Sequence, residues 1–254
     1  MKLFFDHITG KLTNYDFIYS LALAKFEEKE YCQAFENGWI PLSWYYTKLD
    51  ELTWINARNT RLLLSKFTFS KKQRKTLRKK DIRVEIHDKL DDNLFETISD
   101  IFKKYVRHKN FHEKDYEEDS EVFEKEDYID WKYFIYYYKD KPTAFTELKV
   151  FKGKYVLTGQ FAWDYQYPKL GMGTYATLYE IDWSIKNKCK KYYLSYGYEK
   201  TSTYKSRFDG FEFWNGRSWL DNKTMYKKLC EYDTDINTLP ELNKYQRKYF
   251  EVIK

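Results

Sequence analysis

Cysteine is nearly absent from this chain of 254 residues: Cys32, Cys189 and Cys230 lie far apart and form no CxxC pair. That spacing excludes a zinc site built on paired cysteines and a disulfide framework, and it fits a reducing compartment. Glycine (9) and proline (4) are also scarce while aromatics reach 21%, which excludes a disordered or low-complexity chain. No stretch approaches about 18 uncharged apolar residues, and no charged start followed by an apolar run opens the sequence. The expectation is a cytoplasmic protein with no membrane partner. Positive charge is in only small excess, with Lys+Arg 45 against Asp+Glu 39 for a net +6, so only local clustering can make a polyanion site. The 26 tyrosines offer flat surfaces for stacking, but A+T-rich codon usage gives the same excess. The length holds one main domain and a small appended subdomain.

Along the chain, residues 15–35 read as a helix, with Phe17, Leu21, Ala24 and Phe26 on overlapping apolar faces and Gly38 as its stop. Residues 39–66 read as strands, and a short basic helix over 70–80 has Ser70 as its cap. Ile82, Val84 and Ile86 alternate as in a half-buried strand, and Leu94, Ile98, Ile101, Phe102, Tyr105 and Val106 give a helix over 91–109. The acidic run at 113–130 reads as a solvated loop. Three strands at 134–138, 144–151 and 155–163 follow, then a helix over 173–186, a strand at 192–196 and short strands near 211–214 and Trp219. Strand, helix, three-strand meander, helix, strand is the order of the N-acetyltransferase fold, an α+β mixed sheet flanked by helices. The expected division is an N-terminal subdomain at 1–80, a catalytic domain at 81–222 and a helical extension at 223–254.

Two segments carry chemistry. Residues 70–80, Ser70-Lys71-Lys72-Gln73-Arg74-Lys75-Thr76-Leu77-Arg78-Lys79-Lys80, hold seven basic residues in eleven. Lys71, Arg74, Lys75 and Arg78 share a helical face that can neutralise successive phosphates without reading sequence; an ordinary solvated helix has the same composition. The second is Pro168-Lys169-Leu170-Gly171-Met172-Gly173-Thr174-Tyr175, between a strand and a helix. Its glycines admit a close ligand, and free amides at the helix start favour an anion or an oxyanion.

At these segments the chain resembles the arginyl/leucyl-tRNA:protein transferases of the N-end rule. The run at 70–80 is similar to that family's Ser-Arg-Ser-Gln-Arg-Arg pattern, with Arg61 and Phe67 also in place. Phe161-Ala162-Trp163-Asp164 and the Gly171–Tyr175 bend resemble its aromatic-Asp and Ser-Leu-Gly-Thr-aromatic elements. Tyr204-Lys205-Ser206-Arg207-Phe208 resembles its Tyr-Lys-x-x-Phe, Trp219 its Trp after a Gly, and Tyr105 with His108 its Tyr-x-x-His; together these span residues 31–220. Departures are the family's cysteine cluster, replaced by Thr53-Trp54-Ile55-Asn56-Ala57-Arg58-Asn59-Thr60, its basic residues replaced by Ile40-Pro41-Leu42-Ser43, and Ser202 where a Met is common. No metal and no cofactor are therefore expected, with aminoacyl-tRNA as co-substrate.

The resemblance implies transfer of Arg or Leu from charged tRNA to the N-terminal amine of a protein or peptide. It implies tRNA binding by Arg61, Lys71, Lys72, Gln73, Arg74, Lys75 and Arg78, and an aminoacyl-adenosine or oxyanion loop at Gly171, Met172, Gly173 and Thr174. Asp164, Tyr196, Tyr204 and Lys205 are the catalytic candidates: Asp164 to hold the amine or take its proton, Lys205 to pair with an acidic acceptor. Asp164 reads equally as an ordinary strand-end carboxylate and Lys205 as half of a structural salt bridge, and His108 reads as a core or helix-end histidine before it reads as a base. Acetyl-CoA-dependent N-acetylation of a small amine and a non-catalytic RNA-binding module are the alternatives.

Overall fold

The computed structural model describes residues 2–12, 15–42, 53–79, 81–109, 129–198 and 200–233, with isolated positions 236, 238, 240, 241 and 244. The acidic run up to residue 128, Ser43, Lys80 and most of the C-terminal extension lie outside the described residues. Contacts group the chain into two compact units, Met1–Phe67 with Tyr193–Lys254, and Thr68–Tyr192. The basic helix thus belongs with the strand-helix-meander portion, and residues 193–254 belong with the N-terminal strands.

In the first unit, β1 (Lys2–Leu12) pairs antiparallel with β2 (Tyr15–Lys25), from Lys2↔Lys25 to Leu12↔Tyr15. The helix read over 15–35 is therefore a strand in its first half, and the helical part is a 3-10 turn at Glu28–Glu30 followed by α1 (Tyr31–Glu36). Tyr15, Phe17, Tyr19, Leu21 and Leu23 recur every second residue, and β1 lies alongside as an antiparallel partner; period two with that partner outweighs the three- and four-residue coincidences. The sheet continues β1-β2-β4-β3, with β3 at Trp39–Leu42 and β4 at Thr53–Asn56. Trp54 is fully buried among Phe26, Tyr31 and Phe35, whose ring centroids lie 4.9–5.6 Å away. Gly38 sits at φ +79°, and a Cβ there would fall 2.1 Å from the indole of Trp214. Also in this unit, β5 (Asn59–Leu63) lies between β11 (Phe211–Trp214) and β10 (Lys191–Tyr196), with β12 (Trp219–Leu220) outermost. α5 (Lys223–Asp233) packs Tyr226 on Phe211 and Phe213.

The second unit begins with α2 (Lys71–Leu77), then β6 (Ile82–His87), α3 (Asp92–Lys109), β7 (Asp130–Tyr138), β8 (Lys141–Phe151), β9 (Tyr155–Trp163) and α4 (Met172–Lys186), and ends in the first residues of β10. Strands β6 to β9 pair antiparallel in chain order. The strand-helix-meander-helix-strand order is present, and the fold is the α+β, N-acetyltransferase-like one. Alternation along β7 assigns its two faces. Tyr133 and Ile135 join Phe145 and Ala162 against Leu94, Ile98, Ile101, Phe102 and Val106 of α3. Phe134 and Tyr136 turn the other way, meeting Tyr175, Tyr179 and Trp183 of α4 edge to face at 5.5–6.2 Å. Both helices are thus held by the same three-strand meander, one per face.

A buried polar link adds to this packing. Glu180 of α4 accepts from the Tyr136 hydroxyl at 3.0 Å and from the Tyr192 hydroxyl, so both carboxyl oxygens are engaged by strand residues. Burial raises the Glu180 carboxyl above the usual range, while the two tyrosines and Thr146 pull it back. Glu180→Ala removes the carboxylate that two buried hydroxyls share and is expected to destabilise by about 3 kcal/mol, against about 1–2 for Tyr136→Phe, which removes one bond. Urea unfolding midpoints measure both, and equal costs would contradict the shared carboxylate.

Candidate functional site

The basic helix forms as its sequence dictates. Ser70 has extended backbone and its hydroxyl accepts from Gln73 N at 3.2 Å, while Gln73 Oε1 accepts from Ser70 N at 2.8 Å, a reciprocal capping box. The Gln73 side chain, expected at tRNA, is therefore engaged in the cap. Lys71, Lys72, Arg74, Lys75 and Arg78 are exposed, and none is paired with a carboxylate among the described residues. α2 packs on α4, and Lys79 Nζ donates to the Leu170 carbonyl, one residue before Gly171. The cationic helix and the glycine bend are adjacent.

The bend itself is set by backbone conformation. Gly171 adopts φ 59°, ψ 46°, in the left-handed region, and a Cβ there would meet nothing within 4 Å. Its carbonyl accepts from Thr174 N and Tyr175 N, both at 3.1 Å. Met172 and Gly173 supply the first amides of a 15-residue helix, which have no intrahelical acceptor. Gly173 differs from Gly171: a Cβ there would lie 3.6 Å from the Phe161 ring, ordinary contact, so neither space nor φ demands glycine. The Met172 side chain is buried in the core, leaving only its backbone to a ligand, while Thr174 is exposed.

Asp164 follows β9 directly. Its amide donates to Thr143 O at 2.7 Å, and its Oδ1 accepts from Gln166 N at 2.9 Å, fixing a turn that starts the loop toward Gly171. The carboxylate is half-buried and close enough to raise the Lys104 ammonium, secondary to the Asp100 hydrogen bond. Next to it Tyr165 stacks on His108 (3.6 Å, 14°) and meets Trp163 at 4.0 Å, with Lys109 Nζ 5.5 Å above the Tyr165 ring. His108 is thus a stacking partner at the end of α3. Asp164, the Gly171 bend and the basic helix share one unit.

The remaining expected residues belong to the first unit and have internal partners. Arg61 is buried; it donates to Glu212 at 2.8 Å and reaches Glu36 at 3.4 Å, and its guanidinium lies 3.9 Å over the Trp219 ring, so it is committed to folding rather than presented to a phosphate. Lys205 is buried as well, and Nζ donates to Leu194 O (2.6 Å) and Tyr196 O (2.5 Å), which leaves no free ammonium for an acidic side chain. Tyr196 is half-buried after Ser195, which takes φ 62°; Tyr204 is exposed. Among the described residues no cluster of His, Cys, Asp and Glu is able to hold a metal, and no helix is long and apolar enough to cross a membrane.

Sequence reasoning missed Glu147. It lies in the middle of β8, buried, with burial pushing its carboxyl up to about 7 against the opposing pull of Lys149. The available signals were a charge inside the run Ala144-Phe145-Thr146-Glu147-Leu148 and Gly159 inside the partner strand, a mark of a bulge.

No family model and no curated protein matches the sequence. Among solved structures, the chain is similar to the C-terminal domain of a putative lysylphosphatidylglycerol synthetase from Agrobacterium fabrum, at 11% identity and TM-score 0.45, over 66% of this chain and 51% of that one. It is also similar to a GCN5-related N-acetyltransferase from Kribbella flavida (12%, 0.37, 62% and 50%) and to FemX (8%, 0.39, 77% and 80%). The chain spans about half the length of the first two.

The two glycines are expected to separate on substitution. Gly171→Ala costs about 1 kcal/mol for a left-handed alanine, whereas Gly173→Ala is neutral or stabilising by up to about 1 kcal/mol in the helix; thermal unfolding reads both. Stability is also expected to depend on pH through Glu147. Folded, it keeps a proton up to about pH 7 that the unfolded chain releases near 4.5, so its contribution is complete below pH 4.5 and lost as pH rises through 7. The loss is up to about 3 kcal/mol, with Lys149 and Tyr133 as the facing titratable groups. Glu147→Gln is expected to flatten the profile in urea unfolding between pH 5 and 8.

Proposed function

We propose that the protein is an aminoacyltransferase that takes Arg or Leu from charged tRNA and places it on the N-terminal amine of a protein or peptide. The single observation that supports this reading most is the contact between α2 and the Gly171 bend. Exposed cations on a short helix suit a polyphosphate chain, and the amides at a helix start suit the charge that develops on an ester carbonyl. Lys79, bonded to Leu170 O, links the two.

In this reading Lys71, Lys72, Arg74, Lys75 and Arg78 hold tRNA phosphates, and the Met172 and Gly173 amides face the aminoacyl ester. The amine nitrogen attacks the ester carbonyl, forming the new C–N bond and a tetrahedral oxyanion. Collapse breaks the C–O bond to the terminal ribose, whose hydroxyl receives the proton lost by the amine. The ester is already activated, so alignment, a neutral amine and oxyanion stabilisation suffice. Asp164, half-buried at the start of the loop, is the group proposed to receive the incoming ammonium.

The open helix start also suits the diphosphate of acetyl-CoA, which is the second reading. Incubation with acetyl-CoA alone, and with total labelled charged tRNA plus an N-terminal Asp, Glu or Arg peptide, separates the two by product mass. For the first reading, combined Lys71→Ala, Arg74→Ala and Arg78→Ala is expected to weaken tRNA binding by tenfold or more and to lower the slope of log affinity against log salt by about 2–3. Filter binding at several salt concentrations measures it; unchanged affinity removes the tRNA assignment.

A further inference from the structure

Glu147 is a buried acid with one carboxyl oxygen lacking a hydrogen-bond partner among the described residues. Its side chain lies on the α3 face of the meander, opposite Tyr133 on β7. Oε2 accepts a long bond from Gln160 N at 3.3 Å, and Oε1, fully buried, has no hydrogen-bond partner. Lys149, two residues on, acts on it electrostatically and has Nζ 4.5 Å over the Trp131 ring. Trp131 Nε1 and Ser99 Oγ of α3 are buried without partners too. An apolar residue in this place makes a more stable core, since burying a lone carboxylate costs several kcal/mol. An acid kept in such a setting is a mark of a working site.

The strand beside it is shaped around the carboxyl group. Between Thr146↔Phe161 and Leu148↔Thr158, β9 has two residues, Gly159 and Gln160, against Glu147 alone, a β-bulge. Gly159 does not need its left-handed freedom; it needs space. A Cβ there would lie 3.0 Å from Glu147 Cβ and 3.2 Å from Oε2. Residues 158–161 are half-buried whereas Glu147 is buried, and β9 has no side chain at Gly159, whose Cα packs closely on the Glu147 side chain. Phe161, next after the bulge, carries the ring that underlies Gly173 at the head of α4.

We propose that Glu147 is the seat for a primary ammonium group of a substrate, reached over Gly159 and held by Oε1. A cationic donor at Oε1 answers the orphan atom by favouring the ionised form of an acid that burial otherwise holds protonated. Resting on the aminoacyl-transfer reading, the ammonium belongs to one of two sources with the same chemistry: the α-ammonium of the donor's aminoacyl group or the N-terminus of the acceptor. Glu147 is then a binding residue separate from Asp164, and Gly159 guards its access.

The test uses the full chain labelled at the glutamate carboxyl carbon, with the Glu147 signal identified by its loss in Glu147→Gln. At pH 6.5, L-arginine and L-leucine methyl esters form one arm and a peptide with a free N-terminal Asp the other, with the N-acetylated peptide as control. Saturable movement of the Glu147 signal toward the carboxylate position in one arm, and none with the acetylated peptide, supports the proposal and names the source. A signal unmoved by both arms overturns it and leaves Glu147 a structural acid. Glu147→Gln is further expected to raise KM for that amine at least tenfold with tRNA affinity unchanged; an unchanged KM also counts against the seat. Absence of transfer from charged tRNA with the signal still moving sinks the functional reading alone. Binding is read on the unsubstituted chain, so a variant that fails to fold does not decide the result; Glu147→Asp then supplies the assignment.

Discussion

The Glu180 carboxylate governs the geometry of the second unit. A helix lying on a sheet through apolar contacts alone can slide along its axis with little change in buried area, because dispersion and apolar burial are non-directional. Two tyrosine hydroxyls, one from β7 and one from the first part of β10, converge on the two oxygens of one helical side chain. Directional bonds in a dry interior fix both the rise and the rotation of α4. The position of Gly171, about two and a half turns upstream, follows from that anchor, and so does the carbonyl of Leu170 to which Lys79 is joined.

Two glutamates buried in one unit thus have opposite characters. Glu180 sits on the α4 face with both oxygens engaged, whereas Glu147 sits on the α3 face with one oxygen open. Burial raises both carboxyls. What separates them is the supply of donors: the first is surrounded by its own chain's hydroxyls, the second has one weak amide. A polar group that is fully answered internally makes a rigid joint; one left half answered is open to a guest.

Much of the fold was legible in the sequence because its periodicities are clean. Leu94, Ile98, Ile101, Phe102 and Val106 announced α3 and are its buried face; Ser70 announced the start of α2 and caps it. The failure at 15–25 came from a run apolar at nearly every position, where period two and period 3.6 score alike and a hairpin partner decides. The basic helix and the glycine bend were legible as charge and as Gly-x-Gly, and only the fold could bring them together. Arg61 and Lys205 were read as available cations; sequence gives the charge of a side chain but not whether Glu212, Trp219 or the carbonyls of β10 already surround it. The open oxygen of Glu147 was beyond reach for the same reason, since satisfaction is a property of neighbours in space.

The overlap of Gly38 with Trp214 has an evolutionary side. A methyl group at residue 38 and the indole at 214 occupy the same volume, although 176 positions of chain separate them. Neither half can drift alone: enlarging the first requires shrinking the second, and the left-handed turn at residue 38 narrows the choice further. Divergent descendants of this chain, too far apart for ordinary alignment, are therefore expected to keep or lose that small-large couple together, which makes it a covariation marker for tracing the lineage.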